Sequence, residues 1–178
     1  MMVVAAVDDT NMIMLRSSEG DVFEVSKEVA MESQTIKNMI EYNCTVTEIP
    51  LPNVSTIILS KVIEYCNKHV NARHQLSRAN GVDNAVEPVD EATKDVEAEL
   101  KTFDSMFIHI DHSTLYNIML AANYLHIQGL LDLTCEPVAD MIKGKTPEEV
   151  RKIFNIKNDY TLEEDEDTRR ENKWAFES

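Results

Sequence analysis

Glycine is scarce in this chain. Its 178 residues include only four glycines, well below the ~7% of an average protein. They are widely separated, at Gly20, Gly81, Gly129 and Gly144. Because a G-x-G-x-x-G phosphate-binding loop needs closely spaced glycines, the sequence excludes that kind of nucleotide site.

The cysteines are equally few, at Cys44, Cys66 and Cys135. An odd number without a C-x-x-C pair indicates neither a disulfide framework nor a cysteine zinc site, so we expect free, buried thiols in a reducing compartment. The apolar run Met1–Val7 is too short for a secretory leader, and no stretch approaches the ~20 apolar residues of a membrane span. We therefore expect a soluble, intracellular protein.

Positive charge is also scarce. There are 32 acidic residues against 17 lysines and arginines, which gives a formal net charge of −15. Because such a chain is repelled by phosphate backbones and anionic lipids, we expect no nucleic acid and no membrane as main partners. The segment 71–100 combines acidic residues with few large apolar ones, and it predicts a flexible acidic insertion.

Hydrophobic periodicity predicts strands early in the chain and helices late. The runs Met12–Leu15 and Val22–Val25 flank turn residues and predict a β-hairpin, while the prolines of Glu48–Leu51 restrict a third strand to a sheet edge. Helices are predicted after caps at Ser26, Ser33, Ser55 and Asp111 or Ser113, over Gln128–Ile142, and after capping boxes at Thr146 and Thr161. This order predicts an α+β fold, a small sheet with helices plus a C-terminal helical extension.

Two short motifs suggest chemistry but lack its context. Gly144–Thr146 resembles the end of a nucleotide-binding P-loop, yet Ala139 replaces the required earlier glycine and the segment follows a helix. His109 and His112 flank Asp111, which is better explained as a helix cap than as a zinc ligand. We predict no catalytic residue, no metal and no cofactor, and keep a small NTPase or metal hydrolase as the alternative from another class.

The last helices carry many apolar residues between Leu130 and Ile156. A helix face always packs inward, so an internal core is one interpretation and a docking surface is the other. Trp174 and Phe176 favour docking, because they lie on an otherwise almost wholly charged segment. Such a segment orders well on a partner that accepts an aromatic side chain.

Several segments resemble a known family. They are Leu51-Pro52-Asn53-Val54, Glu64-Tyr65-Cys66, Asn123-Tyr124-Leu125, Gly129-Leu130-Leu131-Asp132, the run from Met141 to Glu149, the run from Phe154 to Asp159, and Arg170-Glu171-Asn172-Lys173-Trp174. Together they resemble the S-phase-kinase-associated (Skp) adaptor of SCF ubiquitin ligases from about Met12 to Ser178, apart from 71–100. The ending Trp174–Glu177 is similar to the plant branch.

The resemblance implies a BTB/POZ-like fold without catalysis. It implies an adaptor in the nucleus and cytoplasm that bridges a cullin, and indirectly its RING subunit, to F-box receptors for ubiquitin-dependent degradation. A cullin-binding domain would span 12–127, with contacts at Asn53, Asn123 and Tyr124. An F-box-binding extension would span 128–178, with contacts at Leu131, Cys135, Val138, Phe154, Ile156, Asn158 and Trp174. An adaptor that binds F-box proteins without a cullin, or an elongin-C-like adaptor for another box motif, remains an alternative.

Four positions depart from the family pattern. Phe103 stands where the family usually has Trp, and Tyr160 where it has Phe; both keep an aromatic ring. Pro137 follows Glu136 where polar helix formers are usual, and Lys173 replaces the usual Gln. The last two changes lie beside expected F-box contacts, so they bear on receptor preference.

Overall fold

Strands lie in the first part of the chain, and helices dominate the rest. The computed structural model describes residues 12–42, 48–80 and 89–175. Its strands are β1 (Met12–Arg16), β2 (Val22–Ser26) and β3 (Glu48–Pro50). Its helices are α1 (Lys27–Ala30), α2 (Gln34–Tyr42), α3 (Thr56–Asn80), α4 (Val89–Phe107), α5 (His112–Leu125), α6 (Gln128–Ile142), α7 (Pro147–Ile153) and α8 (Leu162–Glu171), followed by a short 3₁₀ helix, Lys173–Ala175. The predicted α+β class is confirmed.

The sheet has the order β2-β1-β3. The central strand β1 pairs antiparallel with β2 and parallel with β3, so that Leu15 lies opposite both Phe23 and Ile49. Ile13 and Leu15 alternate toward the core, as the period of a strand requires. The predicted hairpin and the predicted edge strand are both confirmed.

Most helix starts carry the caps that the sequence predicts. The hydroxyl of Ser26 accepts a hydrogen bond from the Val29 amide, and the carboxylate of Asp111 accepts one from the Thr114 amide. Thr146 and Thr161 both form complete capping boxes with the glutamate three residues later. These bonds satisfy amides that have no partner within the helix, and they fix where each helix begins.

The start of α3 is stabilised differently from the prediction. The Thr56 amide donates to the Glu19 carboxylate at 2.9 Å, and the Thr56 hydroxyl donates to Asp21 at 2.6 Å. The turn between β1 and β2 therefore caps α3, in place of the predicted Ser55 side chain. Hydrogen bonds from Thr56 lower the pKa of Glu19.

The prediction of a flexible insertion over 71–100 is wrong in its secondary structure. Residues 71–80 continue α3 and residues 89–100 belong to α4, while 81–88 lie outside the described residues. Val96, Leu100, Phe103 and Phe107 recur at helical spacing and are partly or fully buried. Two of their rings approach each other, with 5.5 Å between the centroids of Phe103 and Phe107. These few apolar side chains pack α4 onto α3, although the residues around them are largely acidic.

One main core joins the sheet to α1–α6. Leu59, Leu125 and Leu130 are fully or almost fully buried in it. A second, smaller cluster forms around Leu115 and Val138 near the C-terminal helices. Because α6 contributes Leu130 to the first core and Val138 to the second, it fixes the C-terminal helices to the rest of the fold.

Replacing Gly129 with alanine is expected to destabilise the protein by about 1–3 kcal/mol. A Cβ at this position would lie 2.9 Å from the Tyr65 hydroxyl. The Tyr65 ring cannot easily retreat, because it is 5% exposed and packs at 4.0 Å from the His69 ring. Thermal unfolding should show the loss for Gly129→Ala and its partial recovery when Tyr65→Phe is added. If Gly129→Ala alone and Gly129→Ala combined with Tyr65→Phe are equally stable, the proposed clash is contradicted.

Two candidate docking surfaces

The first candidate surface lies at the end of α5. Asn123 is exposed and Tyr124 half-buried in its last turn. The hydroxyls of Ser33 and Thr35 donate to the carbonyls of Leu125 and Tyr124, at 2.5 and 3.0 Å. The start of α2 therefore holds the end of α5 in place while the Asn123 and Tyr124 side chains remain accessible.

Asn53 lies on the same side of α5. A cleft of about 360 Å³ brings Asn53 together with Asn117 and Leu120 of α5. Leu120 is 45% exposed and precedes Asn123 and Tyr124 by three and four residues, which is the spacing of neighbours on a helix surface. We call Asn53, Asn117, Leu120, Asn123 and Tyr124 the α5 surface: the cleft joins Asn53 to Leu120, and Asn123 and Tyr124 follow one turn further along α5.

The second candidate surface is formed by α6 and the segments after it. Leu131 is half-buried and Cys135 exposed, one turn apart on α6. Ile156 is 39% and Trp174 79% exposed, and Asn158 is exposed as well. We call these five residues, with exposed Ile142, Tyr160 and Leu162, the C-terminal surface, as a name for accessible side chains that α6 and the segments after it carry. Single exposed apolar residues are ordinary, whereas several in one part of a fold make it a candidate interface.

Helix α8 has no buried residue, so apolar packing does not hold it in place. An ion pair between Arg169 of α8 and Glu148 of α7 links the two helices, and Arg169 also contacts Asp165. Exposed ion pairs of this kind contribute little stability. Helix α8 is thus joined to α7 by an exposed, polar contact.

Val138 and Phe154 are not on that surface in the structure. They are 5% and 4% exposed and pack with Leu115 in the second core cluster. The Phe154 ring stacks on that of Tyr116, with 4.7 Å between centroids. In this conformation they pack α6 and the end of α7 against α5, and their role as F-box contacts stays a prediction.

The sequence interpretation overlooked Leu162, which is 89% exposed, and Ile142, which is 40% exposed. Leu162 is the first residue of α8, and the residues one turn later are the acidic Asp165 and Glu166. The sequence offered one signal for the exposure of Leu162: it has no apolar neighbour at helical spacing with which to form a buried face. The signal was overlooked because Leu162 was interpreted as part of a capping box.

The two described thiols differ. Cys66 is buried, and burial raises its pKa to about 12. Cys135 is exposed on the C-terminal surface. The expectation of buried thiols is therefore confirmed for Cys66 and wrong for Cys135, while Cys44 lies outside the described residues.

The motifs that suggested chemistry have structural roles. Asp111 caps α5, and its bonds from Thr114 lower its pKa. Gly144 ends α6 with a φ of +71°, a conformation that favours glycine. Within residues 12–42, 48–80 and 89–175, no group of three or more His, Cys, Asp or Glu side chains could hold a metal ion. The same ranges contain no helix long and apolar enough to span a bilayer.

Comparisons with known proteins place both halves of the chain in one family. The Skp1 family tetramerisation domain matches residues 11–71, and the Skp1 family dimerisation domain matches residues 128–175. SKP1-like protein 20 of Oryza sativa subsp. japonica is 64% identical over 97% of this chain and 99% of its own length. SKP1-like protein 1A of Arabidopsis thaliana is 56% identical over 93% of this chain and 97% of its own. The chain therefore belongs to the Skp1 family, the adaptor family of SCF ubiquitin ligases, and is similar to its plant members.

Proposed function

We propose that this chain is a non-catalytic adaptor that bridges a cullin to F-box substrate receptors within an SCF ubiquitin ligase. The α5 surface binds the cullin, which carries the RING subunit, and the C-terminal surface binds the F-box. The observation that carries this proposal is the exposure of Tyr160, Leu162 and Trp174 before, on and after helix α8, which has no buried residue. Binding to a partner would remove these apolar side chains from water, which is favourable.

The two surfaces are compatible with simultaneous binding. They share no residue, and they lie on different elements: the α5 surface on α5 and the segment before α3, the C-terminal surface on α6 and the residues after it. The proposal assigns 12–127 to the cullin-binding part and 128–178 to the F-box-binding extension. Since Leu130 of α6 belongs to the main core, a rigid element connects the two parts.

Receptor preference is proposed to depend on the middle of α6. Pro137 lies inside this helix and has no backbone N–H, so the helical hydrogen bond that residue 137 would donate to the Leu133 carbonyl is missing, in the turn that carries the exposed Cys135. A local opening there changes how Cys135 is presented to a receptor. Lys173, next to Trp174, adds a positive charge at the other end of the C-terminal surface.

Reconstitution tests the assignment as a whole. We expect purified chain, a cullin N-terminal domain and an F-box fragment to co-elute as one ternary complex in size-exclusion chromatography. Retention of the F-box alone would select the alternative of an adaptor that works without a cullin. Failure to retain either partner would overturn the proposal.

Alkylation of Cys135 is expected to be slowed about tenfold or more by a saturating F-box fragment, because the bound fragment covers this thiol. Cys66 serves as an internal reference, since burial and its raised pKa keep it unreactive in both states. Peptide-level mass spectrometry after iodoacetamide treatment measures both sites. A cullin fragment should leave the Cys135 rate unchanged. Equal rates with and without the F-box would place Cys135 outside the interface.

A further inference from the structure

A third surface lies between α3 and α4. An open groove of about 500 Å³ is lined by Lys68 of α3 and by Asp95, Ala98, Glu99, Phe103 and Met106 of α4, together with Thr102. We call it the α3–α4 groove. None of these residues belongs to the α5 surface or to the C-terminal surface. Helix α4 also lies wholly between the two matched family domains, which end at residue 71 and begin at residue 128.

The floor of the groove is apolar and shallow. Ala98, Thr102 and Met106 follow one another at intervals of four residues and so share one face of α4. The Thr102 hydroxyl donates to the Ala98 carbonyl at 2.8 Å, so its hydrogen is satisfied within the helix. The small Ala98 and Thr102 leave room for a close approach, and Met106, 64% exposed, is a flexible side chain that adapts to different partners.

The rim of the groove is acidic. Asp95 and Glu99 lie one turn apart, and Lys68 is the single cation among the described residues that line the groove. Lys68 Nζ already lies 3.9 Å from the Glu99 carboxylate, which leaves Asp95 facing no cation of the groove lining. A complementary partner must therefore bring a positive charge to that end. A second copy of this chain is disfavoured, because it carries the same acidic rim and a net charge of −15.

We propose that the α3–α4 groove binds an amphipathic helix of a partner protein. Its apolar face lies over Ala98, Thr102 and Met106, and an arginine or lysine at one end pairs with Asp95. A helix fits because a groove between two packed helices accepts the side-chain ridge of a third. Since the groove is separate from both docking surfaces, this partner binds whether or not the cullin and F-box assignments hold.

The probe is a labelled, capped helical peptide of about 15 residues with leucines at i, i+4 and i+7 and an arginine beside the first leucine. Fluorescence anisotropy with the full chain at ~0.15 M salt, where long-range attraction is screened, measures its affinity. We expect saturable binding that Asp95→Lys weakens about tenfold or more. Glu97→Lys is the matched control, because Glu97 is an exposed acid of the same helix that does not line the groove. It should change affinity less than about twofold.

Filling the groove gives an independent variant. Ala98 is exposed, so Ala98→Arg leaves the core intact and is expected to abolish peptide binding. Equal weakening by Asp95→Lys and Glu97→Lys would show attraction to net charge alone and overturn the proposal. The proposal is also overturned if a peptide with scrambled leucines binds equally well, or if Ala98→Arg binds the peptide with unchanged affinity. It is overturned too if no saturable binding is seen at millimolar concentrations of the chain.

Discussion

Replacing Asn123 and Tyr124 together with lysine is expected to abolish cullin binding and leave F-box binding unchanged. Both side chains lie on the α5 surface, whereas the hydrogen bond from Thr35 reaches only the Tyr124 backbone carbonyl. The substitutions therefore spare the contact that fixes the end of α5. Burying an unpaired charge in an interface costs several kcal/mol, about a thousandfold or more in affinity. Isothermal titration with a cullin N-terminal domain and, separately, an F-box fragment measures both affinities.

Asn67→Lys is the matched control for charge, because Asn67 is an exposed amide on α3 outside the α5 surface. It should bind the cullin normally. Since Tyr124 is half-buried, a second variant protects the test against misfolding: Leu120→Lys, at a side chain 45% exposed, should also lose the cullin. If the double variant at Asn123 and Tyr124 and the Leu120→Lys variant both bind the cullin normally, the α5 surface is not the cullin site.

Local signals in the sequence predicted helix starts well. A capping box involves residues only three positions apart, so Thr146 and Thr161 reveal α7 and α8 without any knowledge of tertiary structure. Asp111 predicts the start of α5 for the same reason, because it caps an amide only three residues later. The short strands were equally readable, because the turn between β1 and β2 and the prolines around β3 mark their ends.

Features that depend on distant residues were not readable. The cap of α3 comes from Glu19, 37 residues before Thr56. Helix α4 was concealed because its acidic composition suggested disorder, whereas its few apolar residues suffice once α3 provides a surface for them. The resemblance also placed Val138 and Phe154 among partner contacts. Whether such a residue faces a partner or its own core depends on how α7 packs on α5, which no local pattern specifies.

Trp174→Ala is expected to weaken F-box binding by about 2 kcal/mol or more, near thirtyfold, while cullin binding stays unchanged. In the chain alone the Trp174 side chain is 79% exposed, and it lies on the short 3₁₀ helix that follows α8. It contributes little to the stability of the free fold, because helix α8 before it contains no buried residue. Its large apolar area is instead available for burial against a partner. Titration of the F-box fragment into wild-type and variant chains measures the difference.

Tyr42→Ala provides the control for loss of an exposed aromatic ring, since Tyr42 is 91% exposed on α2, away from the C-terminal surface. Trp174 is the single tryptophan of the chain, so its emission reports on this position alone. Adding an F-box fragment without tryptophan should shift that emission to the blue, because the indole leaves water. A blue shift without loss of affinity in Trp174→Ala would mean that the ring is covered but contributes little energy. If neither a blue shift nor a loss of affinity is observed, Trp174 lies outside the interface, and Leu162 and Ile156 remain as its apolar contacts.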